Sequence, residues 1–178
     1  TIHPNARWGD GRPVSTKDII FTWKVGRHPK SGVGNMEFYR SLYKIDAIND
    51  KTFTFHFDKL NFKYNDVGSF QILPSHIETK NFTEPAKYKT RTAFDTDPTH
   101  PGLGFGPYRI VMIAPGSHVV LEPNATWYGK QPTIKKIIVK VIANTSAMEA
   151  NLLSGDIDMI AGELGLAIDQ AVAFKERH

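Results

Sequence analysis

Glycine and proline are numerous and spread along the whole chain, and this distribution limits the folds that the chain can adopt. Fourteen glycines and eleven prolines occur in 178 residues. Glycine supplies the backbone angles that tight turns need, whereas proline ends helices and is excluded from central strands. We therefore expect many turns between short elements rather than a bundle of long helices. The chain is 40% hydrophobic and 22% charged, which is enough apolar content for a packed core.

A helix is predicted from Thr16 to Arg27. Ser15 is followed three residues later by Asp18, which is the spacing of a capping box. In that motif the hydroxyl accepts a hydrogen bond from a free amide, and the carboxylate favours the positive end of the helix. Ile19 and Trp23 contribute to its apolar stripe.

A β-hairpin is predicted after this helix. Its strands are Tyr43–Ile48 and Thr52–Phe57, joined by a turn at residues 49–51. The second strand alternates phenylalanine with polar residues, so the phenylalanines share one face and His56 lies on the other. A short helix over Met36–Tyr43 is expected to precede the hairpin.

The remaining elements are predicted to be short strands and helices. The pattern predicts strands at Phe70–Pro74, Tyr108–Ile113, Val119–Glu122, Ile134–Ile142 and Ile157–Ile160, and a last helix at Glu163–Glu176. The run Ile137-Ile138-Val139 is apolar on both faces, which is typical of a buried strand. Ser146 is predicted to cap a helix that ends at Ser154, with Gly155 as its left-handed C-cap. The polar, turn-rich segment Asn81–Gly106 is the candidate crossover between two subdomains.

The charge pattern and the absence of cysteine exclude several classes of function. The net charge is +4, but the basic residues are scattered and Lys135-Lys136 is their only adjacent pair, so we expect no nucleic-acid partner. Without cysteine there is no disulfide framework, thiolate zinc site or cysteine nucleophile. No apolar run reaches the length of about eighteen residues that a membrane span needs.

The sequence contains no recognisable catalytic or metal-binding motif. Its histidines lack the H-x-x-x-H spacing that presents two ligands to one metal, and no G-x-S-x-G is present. Asp156 and Asp158 would share one face of a strand, where paired carboxylates serve acid–base chemistry or hold calcium. The more ordinary interpretation places them at a turn and at a strand edge. We therefore predict no catalytic residue, no metal site and no cofactor.

Five segments together resemble the family 5 extracellular solute-binding proteins, the peptide- and nickel-binding receptors of ABC importers. They occur in the family's order: Asn5–Trp23, Ile72–His76, Gly104–Ile110, Leu121–Tyr128 and Leu153–Asp158. The first of them reads W-G-D-G-R-P-V-S-T-K-D and leads into an aromatic helix. Two departures stand out. Phe105 replaces the usual threonine or asparagine, and the family's N-P pair is here Asn124-Ala125.

The resemblance implies an α/β fold with mixed sheets and helices, as part of one lobe of a class II-like periplasmic binding protein. Members of the family are much longer and have two lobes that close over the ligand. Residues 1–85 would then belong to the small subdomain of the first lobe and residues 86–178 to its large subdomain. The second lobe is expected to be absent from this sequence.

The resemblance also implies where a ligand would be contacted. Two loops align with segments that face the cleft in relatives, and their candidate residues are Ser31, Val33, Asn35, Met36, Ala161, Gly162 and Glu163. Asn35 would contact a ligand side chain and Glu163 a positive group. Trp8, Trp23 and Tyr108 are expected to be packing residues.

The function implied is that of the substrate-binding component of an oligopeptide or dipeptide importer. Its partners would be a peptide and the membrane permease, and the protein would be a monomer. It would lie in the periplasm, or be anchored outside the cell in a Gram-positive organism. The alternatives are a receptor of the same family for nickel, haem or an oligosaccharide, or a hydrolase.

Overall fold

Short helices and strands are mixed along the chain, as predicted. The computed structural model describes residues 1–60, 68, 70–161 and 165–177. The helices are α1 (Thr16–Arg27), α2 (Met36–Ser41), α3 (Ser75–Glu78), α4 (Pro85–Tyr88), α5 (Ala93–Thr96), α6 (Thr145–Ser154) and α7 (Ile168–Arg177). The strands are β1 (Leu42–Ala47), β2 (Phe53–Phe57), β3 (Tyr108–Ala114), β4 (His118–Pro123) and β5 (Ile137–Lys140).

The chain divides into two compact units. The first unit comprises Thr1–Ile113 with Val120–Ile137, and the second comprises Ala114–Val119 with Ile138–His178. The assignment of residues 1–85 and 86–178 to two subdomains of a lobe stays a prediction.

Helix α1 has the predicted bounds because its ends are set by local chemistry. Ser15 Oγ accepts a hydrogen bond from the Lys17 amide at 3.3 Å, and the Asp18 carboxylate accepts one from the Ser15 amide at 2.8 Å. The helix ends where His28 adopts an extended conformation. The capping box predicted from the sequence is confirmed.

The hairpin forms one side of the core of the first unit. Strands β1 and β2 pair antiparallel, with Ile45 opposite Phe55. The phenylalanines of β2 pack against a buried cluster: Ile19, Tyr39, Leu42 and Phe70. His56 lies on the other face, where its Nε2 is 2.8 Å from Asp46 Oδ2.

A buried carboxylate, that of Asp18, joins three segments of the first unit. Asp18 is 2% exposed. Its Oδ2 accepts from the Ser15 amide and, at 3.3 Å, from the Trp8 indole, while Oδ1 accepts from the Ser75 amide at 2.9 Å and from the Ser75 hydroxyl at 2.6 Å. A desolvated carboxylate is tolerated only when its acceptor positions are filled, so these four donors are what allows Asp18 to be buried.

Trp8 is the centre of a second buried cluster. Its side chain is fully buried beside Ala6 and Val14. Phe105 meets its ring edge-on, with centroids 5.1 Å apart. The aromatic residue that departs from the family pattern is therefore a packing residue here.

Asn124 holds the chain around this cluster. It is 1% exposed, and its Nδ2 donates to the Gly106 carbonyl at 2.9 Å. Thr126 Oγ1 lies 2.8 Å from Asn124 Oδ1 and 3.0 Å from the Trp8 carbonyl. Segments that are far apart in the sequence thus meet at Trp8.

Asp10 links the turn after Trp8 to helix α3. Its Oδ2 lies 2.9 Å from His76 Nε2, and its Oδ1 accepts from the Arg12 amide at 3.1 Å. Burial raises the pKa of Asp10, but the Arg12 amide and the His76 ring outweigh it, so that the net pKa lies below the usual value.

Four sequence predictions for individual elements are wrong. Residues 70–74 form no strand, because the Leu73 amide donates to the Thr22 hydroxyl of α1 at 2.8 Å instead of to a neighbouring strand. Residues 157–160 also form no strand. Helix α6 is capped by Asn144 rather than Ser146, since the Asn144 side chain accepts from the Ala147 amide at 2.9 Å. The strand expected over 134–142 is confined to β5 and is not buried, with Val139 51% exposed.

The other predicted elements are present with shifted ends. Strands β3, β4 and β5 form one sheet in that order. Gly155 has the left-handed φ of 79° expected of a C-cap. The last helix is α7, and residues 162–164 lie outside the described residues. The segment Asn81–Gly106, which was predicted to be a crossover, consists largely of short helical turns, including α4 and α5. Within the part of the chain described, no helix is both long and apolar enough to cross a membrane.

Replacing Asp18 by asparagine tests the buried network. The asparagine would keep the shape but turn one acceptor oxygen into an NH2 group that faces donors, so we expect Asp18→Asn to destabilise the fold by about 3 kcal/mol. Ser75→Ala removes the hydroxyl donor but keeps the hydrogen bond from the backbone amide of residue 75 to Asp18. We therefore expect it to lower the free energy of unfolding by about 1 kcal/mol. Urea unfolding monitored by tryptophan fluorescence measures both. Equal costs for the two variants would contradict a central role for the carboxylate.

The Asp10–His76 contact predicts a pH-dependent stability. A carboxyl group whose pKa is lowered by folding stabilises the protein above its unfolded pKa, about 3.9, and loses that contribution as pH falls through the folded pKa. The cost of Asp10→Asn should therefore be complete at pH 6, about 1 kcal/mol, and shrink below about pH 4. Asp46→Asn is the comparison for exposure, because Asp46 also contacts a histidine and also has a lowered pKa but is more exposed, so its cost should follow the same pH trend and be smaller. A pH-independent cost of Asp10→Asn in urea unfolding would refute this assignment.

Candidate functional site

The loop between α1 and α2 contains four of the predicted ligand-binding residues, and they have different surroundings. Ser31 is 3% exposed, and its hydroxyl donates to the His28 carbonyl at 2.9 Å. Val33 packs against the core cluster of the first unit. Asn35 is exposed and makes no capping hydrogen bond to α2, and Met36 is half-buried.

These contacts divide the four residues by what they can do. The hydroxyl of Ser31 is engaged in shaping the loop, and Val33 belongs to the packing beneath it. The side-chain amide of Asn35 makes no hydrogen bond to the residues that the structure describes, so its donors and acceptor are available to solvent or to a ligand. Asn35 and Met36 are thus the members of this set whose side chains a ligand could reach with least disturbance.

The second predicted segment is described only at its start. Ala161, in the second unit, is exposed. Gly162 and Glu163 lie outside the described residues. That these three residues contact a ligand stays a prediction, and the same holds for the four residues of the first loop.

A half-open cleft of about 270 Å³ in the first unit was not predicted from the sequence. Its walls carry both signs of charge, and it is lined by Asp10, Arg12, His76, Ile77, Lys80, Asn81, Ala93, Thr96, Asp97 and His100. Asp10 is already engaged by His76 and the Arg12 amide. His100 Nδ1 accepts from the Gly102 amide at 3.0 Å, so the neutral ring carries its proton on Nε2.

Buried polar groups position the wall of this cleft. Glu78 is 0% exposed, and its Oε1 accepts from the Ala93 amide at 2.7 Å while Oε2 accepts from Asn81 Nδ2 at 3.3 Å. The nearby Tyr88 hydroxyl is buried beside Glu78. Burial, followed by the negative charge of Glu78, raises the pKa of Tyr88, so the phenol stays neutral.

The signal for this cleft was present in two sequence motifs. Asp10 belongs to the first family segment and His76 to the second, and the two are 66 residues apart in the chain. Neither segment by itself indicates a cleft. Only the pairing of the two segments in space shows that they share a wall.

The hydrolase alternative requires a serine hydroxyl next to a histidine ring. One such contact is found among the described residues. Ser117 Oγ lies 2.9 Å from His118 Nδ1, in the turn between β3 and β4. The pair does not line the cleft, and in the described part of the chain no carboxylate hydrogen-bonds His118 to orient it. The pair therefore lacks the orienting carboxylate and the adjacent substrate-binding cleft that a hydrolytic triad needs.

The carboxylates of Asp156 and Asp158 do not share a strand face, because their segment is not a strand. Asp156 Oδ2 accepts from the Ser154 hydroxyl at 2.7 Å in the turn after α6. Among the residues described, no group of three or more His, Cys, Asp or Glu side chains is arranged to hold a metal ion.

Comparison with known proteins accounts for the motif pattern. The family model of bacterial extracellular solute-binding proteins, family 5 Middle, matches residues 1–176. The probable D,D-dipeptide-binding periplasmic protein DdpA of Escherichia coli K12 is 28% identical over 183 residues, which cover 100% of this chain and 33% of DdpA. The chain spans between 19% and 33% of the length of the curated relatives it matches.

Solved structures share the fold. The oligopeptide-binding protein AppA of Bacillus subtilis, in complex with a nonapeptide, superposes with a TM-score of 0.74 at 23% identity over 85% of this chain and 29% of AppA. NikZ of Campylobacter jejuni, in complex with Ni(L-His), also has a TM-score of 0.74 at 23% identity, over 87% of this chain and 29% of NikZ. The predicted α/β fold, as part of a class II-like binding protein, is confirmed. The chain belongs to family 5 of the bacterial extracellular solute-binding proteins.

Proposed function

We propose that this chain is part of the substrate-binding component of an ABC-type importer that captures oligopeptides or dipeptides and delivers them to a membrane permease. The family match over residues 1–176 carries the proposal. A dipeptide-binding relative and a nonapeptide-bound structure of the same fold support peptide as the ligand class. The protein acts outside the cytoplasmic membrane and has no catalytic activity of its own.

The physical basis is closure of two lobes over the ligand. Peptide main chain is held by hydrogen bonds, and water-mediated contacts in the side-chain pockets adapt to different sequences. Closure follows only if the ligand binds the closed state better than the open one. A chain that spans a third or less of its relatives' length supplies only part of such a site.

The first loop contributes to specificity in this proposal. Asn35 has an exposed side-chain amide that makes no capping hydrogen bond to α2, and Met36 beside it has an adaptable apolar side chain. The predicted charge contact from Glu163, with Ala161 and Gly162 beside it, belongs to the same proposal. Ser31 and Val33 would act by holding the loop rather than by touching the ligand.

The relative solved with nickel favours a specific alternative ligand. NikZ shows that this fold also accommodates Ni(L-His). A thermal-shift screen of the full-length protein against D-Ala-D-Ala, a nonapeptide, Ni²⁺ with L-histidine, haem and an oligosaccharide separates the candidates. We expect a stabilising shift with a peptide, and a shift with nickel–histidine alone would replace the peptide assignment. Native mass spectrometry of the bound peptide should show it intact, whereas cleavage would favour the hydrolase alternative.

Peptide binding by the 178 residues alone should be weak or undetectable. Part of the first lobe cannot enclose a ligand, so isothermal titration with D-Ala-D-Ala and a nonapeptide should show little heat. The full-length protein should bind at least one of these peptides or a longer one. Tight binding to the 178-residue chain would contradict the two-lobed mechanism.

Replacing Asn35 by alanine tests the loop. The side chain makes no capping bond, so Asn35→Ala should leave the melting temperature unchanged while weakening peptide binding by the full-length protein roughly three- to tenfold. Asn5→Ala is the matched control, because Asn5 is an exposed asparagine of the first unit outside the loop. Unchanged affinity in Asn35→Ala would remove Asn35 from the site.

A further inference from the structure

The cleft in the first unit contains two charged side chains that have no partner in the described part of the chain. Lys80 and Asp97 both line the cleft and are exposed. Neither side chain makes a hydrogen bond or an ion pair with any residue that the structure describes, and the two do not pair with each other. The cleft therefore presents one cation and one anion, each with its hydrogen-bonding capacity unused.

His100 adds a third polar group to the cleft. Its Nδ1 accepts from the Gly102 amide at 3.0 Å, so the neutral ring has its donor at Nε2. Within the described ranges no acceptor is bonded to Nε2. An ammonium and an imidazole N–H are both donors that suit a carboxylate, whereas the carboxylate of Asp97 suits a cation.

The wall that carries these groups is tightly packed. Asp10 is held by His76 and by the Arg12 amide. A Cβ atom added at Gly102 would lie only 2.7 Å from Ile77 Cδ1 and 2.9 Å from Asp10 Oδ2, so the segment after His100 approaches the wall only because residue 102 has no side chain. The shape of the cleft is thus fixed by the fold before any ligand arrives.

The size and the charges of the cleft together indicate the class of its ligand. Its volume of about 270 Å³ lies just below the range of roughly 300–1,000 Å³ that is usual for drug-sized ligands, so its occupant would be small. We propose that the cleft is a second binding site, for a free α-amino acid. Lys80 and His100 bind the carboxylate of this ligand, and Asp97 binds its ammonium group. No residue of the loop 31–36 lines the cleft, so the proposal is independent of the proposed peptide site.

Isothermal titration of the full-length protein with L-alanine tests the site. Acetate and methylammonium are the matched probes, because each carries only one of the two charges of an amino acid. A ligand held at both ends keeps contacts that either probe lacks, so we expect L-alanine to bind at least about tenfold more tightly than either. No detectable binding of L-alanine, or equally tight binding of acetate, would overturn the proposal.

Two substitutions show whether L-alanine binds in this cleft. Asp97→Asn and Lys80→Met each remove one charge from an exposed side chain of similar size, so each should weaken L-alanine binding about tenfold. Asp50→Asn and Lys24→Met are the matched controls, because Asp50 and Lys24 are exposed residues of the first unit that do not line the cleft. The controls should bind L-alanine as the unaltered protein does. Undiminished binding in Asp97→Asn and Lys80→Met would place the amino acid elsewhere and overturn the assignment.

Inorganic phosphate separates the competing ligand class. If the cleft were a site for anions alone, phosphate would bind through Lys80 and His100, and Asp97→Asn would strengthen its binding by removing a like charge. That result, with L-alanine unaffected by Asp97→Asn, would overturn the proposal. Weak phosphate binding and loss of L-alanine binding in Asp97→Asn would support it. Peptides enter none of these titrations, so failure here is distinct from failure of the proposed transport function.

Discussion

The first unit depends on the buried carboxylate of Asp18. It accepts the amide of the N-cap residue Ser15 at the start of α1 and, at the same time, accepts hydrogen bonds from Trp8 and from Ser75, which lies 57 residues away in the chain. A desolvated charge is costly unless its acceptor positions are filled, so the segments that supply the donors have little freedom to shift against each other. These hydrogen bonds thereby fix the positions of α1, the turn before it and the start of α3 relative to one another.

This arrangement explains why the segments that resemble the family identify a scaffold rather than a ligand. The residues of those segments contact one another: Trp8 is buried against Phe105, Asn124 donates to the Gly106 carbonyl, and Ser75 donates to Asp18. Such contacts are needed whatever the receptor carries. Selectivity is then expected from loops such as that of Asn35, whose side chain is not part of the network. A family with one scaffold and several ligand classes is consistent with this division.

The two units differ in how much of their apolar surface they bury within themselves. The first has buried aromatic clusters and filled polar networks, whereas the second has no buried residue in the described ranges 138–161 and 165–177. Burial of apolar surface is the main favourable term in folding, so the second unit gains much less from its own contacts.

The sequence by itself determined the elements whose signals are local. Helix α1 has the bounds that its capping box predicts, the β1–β2 hairpin follows the alternation of its phenylalanines, and Gly155 ends α6 in the left-handed conformation. Tertiary structure decided what depends on distant partners. Residues 70–74 are not a strand because Thr22 takes the Leu73 amide, and the cleft exists because Asp10 meets His76 from another segment. The physical reason is that caps and alternation act within a few residues, whereas the partner of a buried polar group is chosen by the packing of the whole unit.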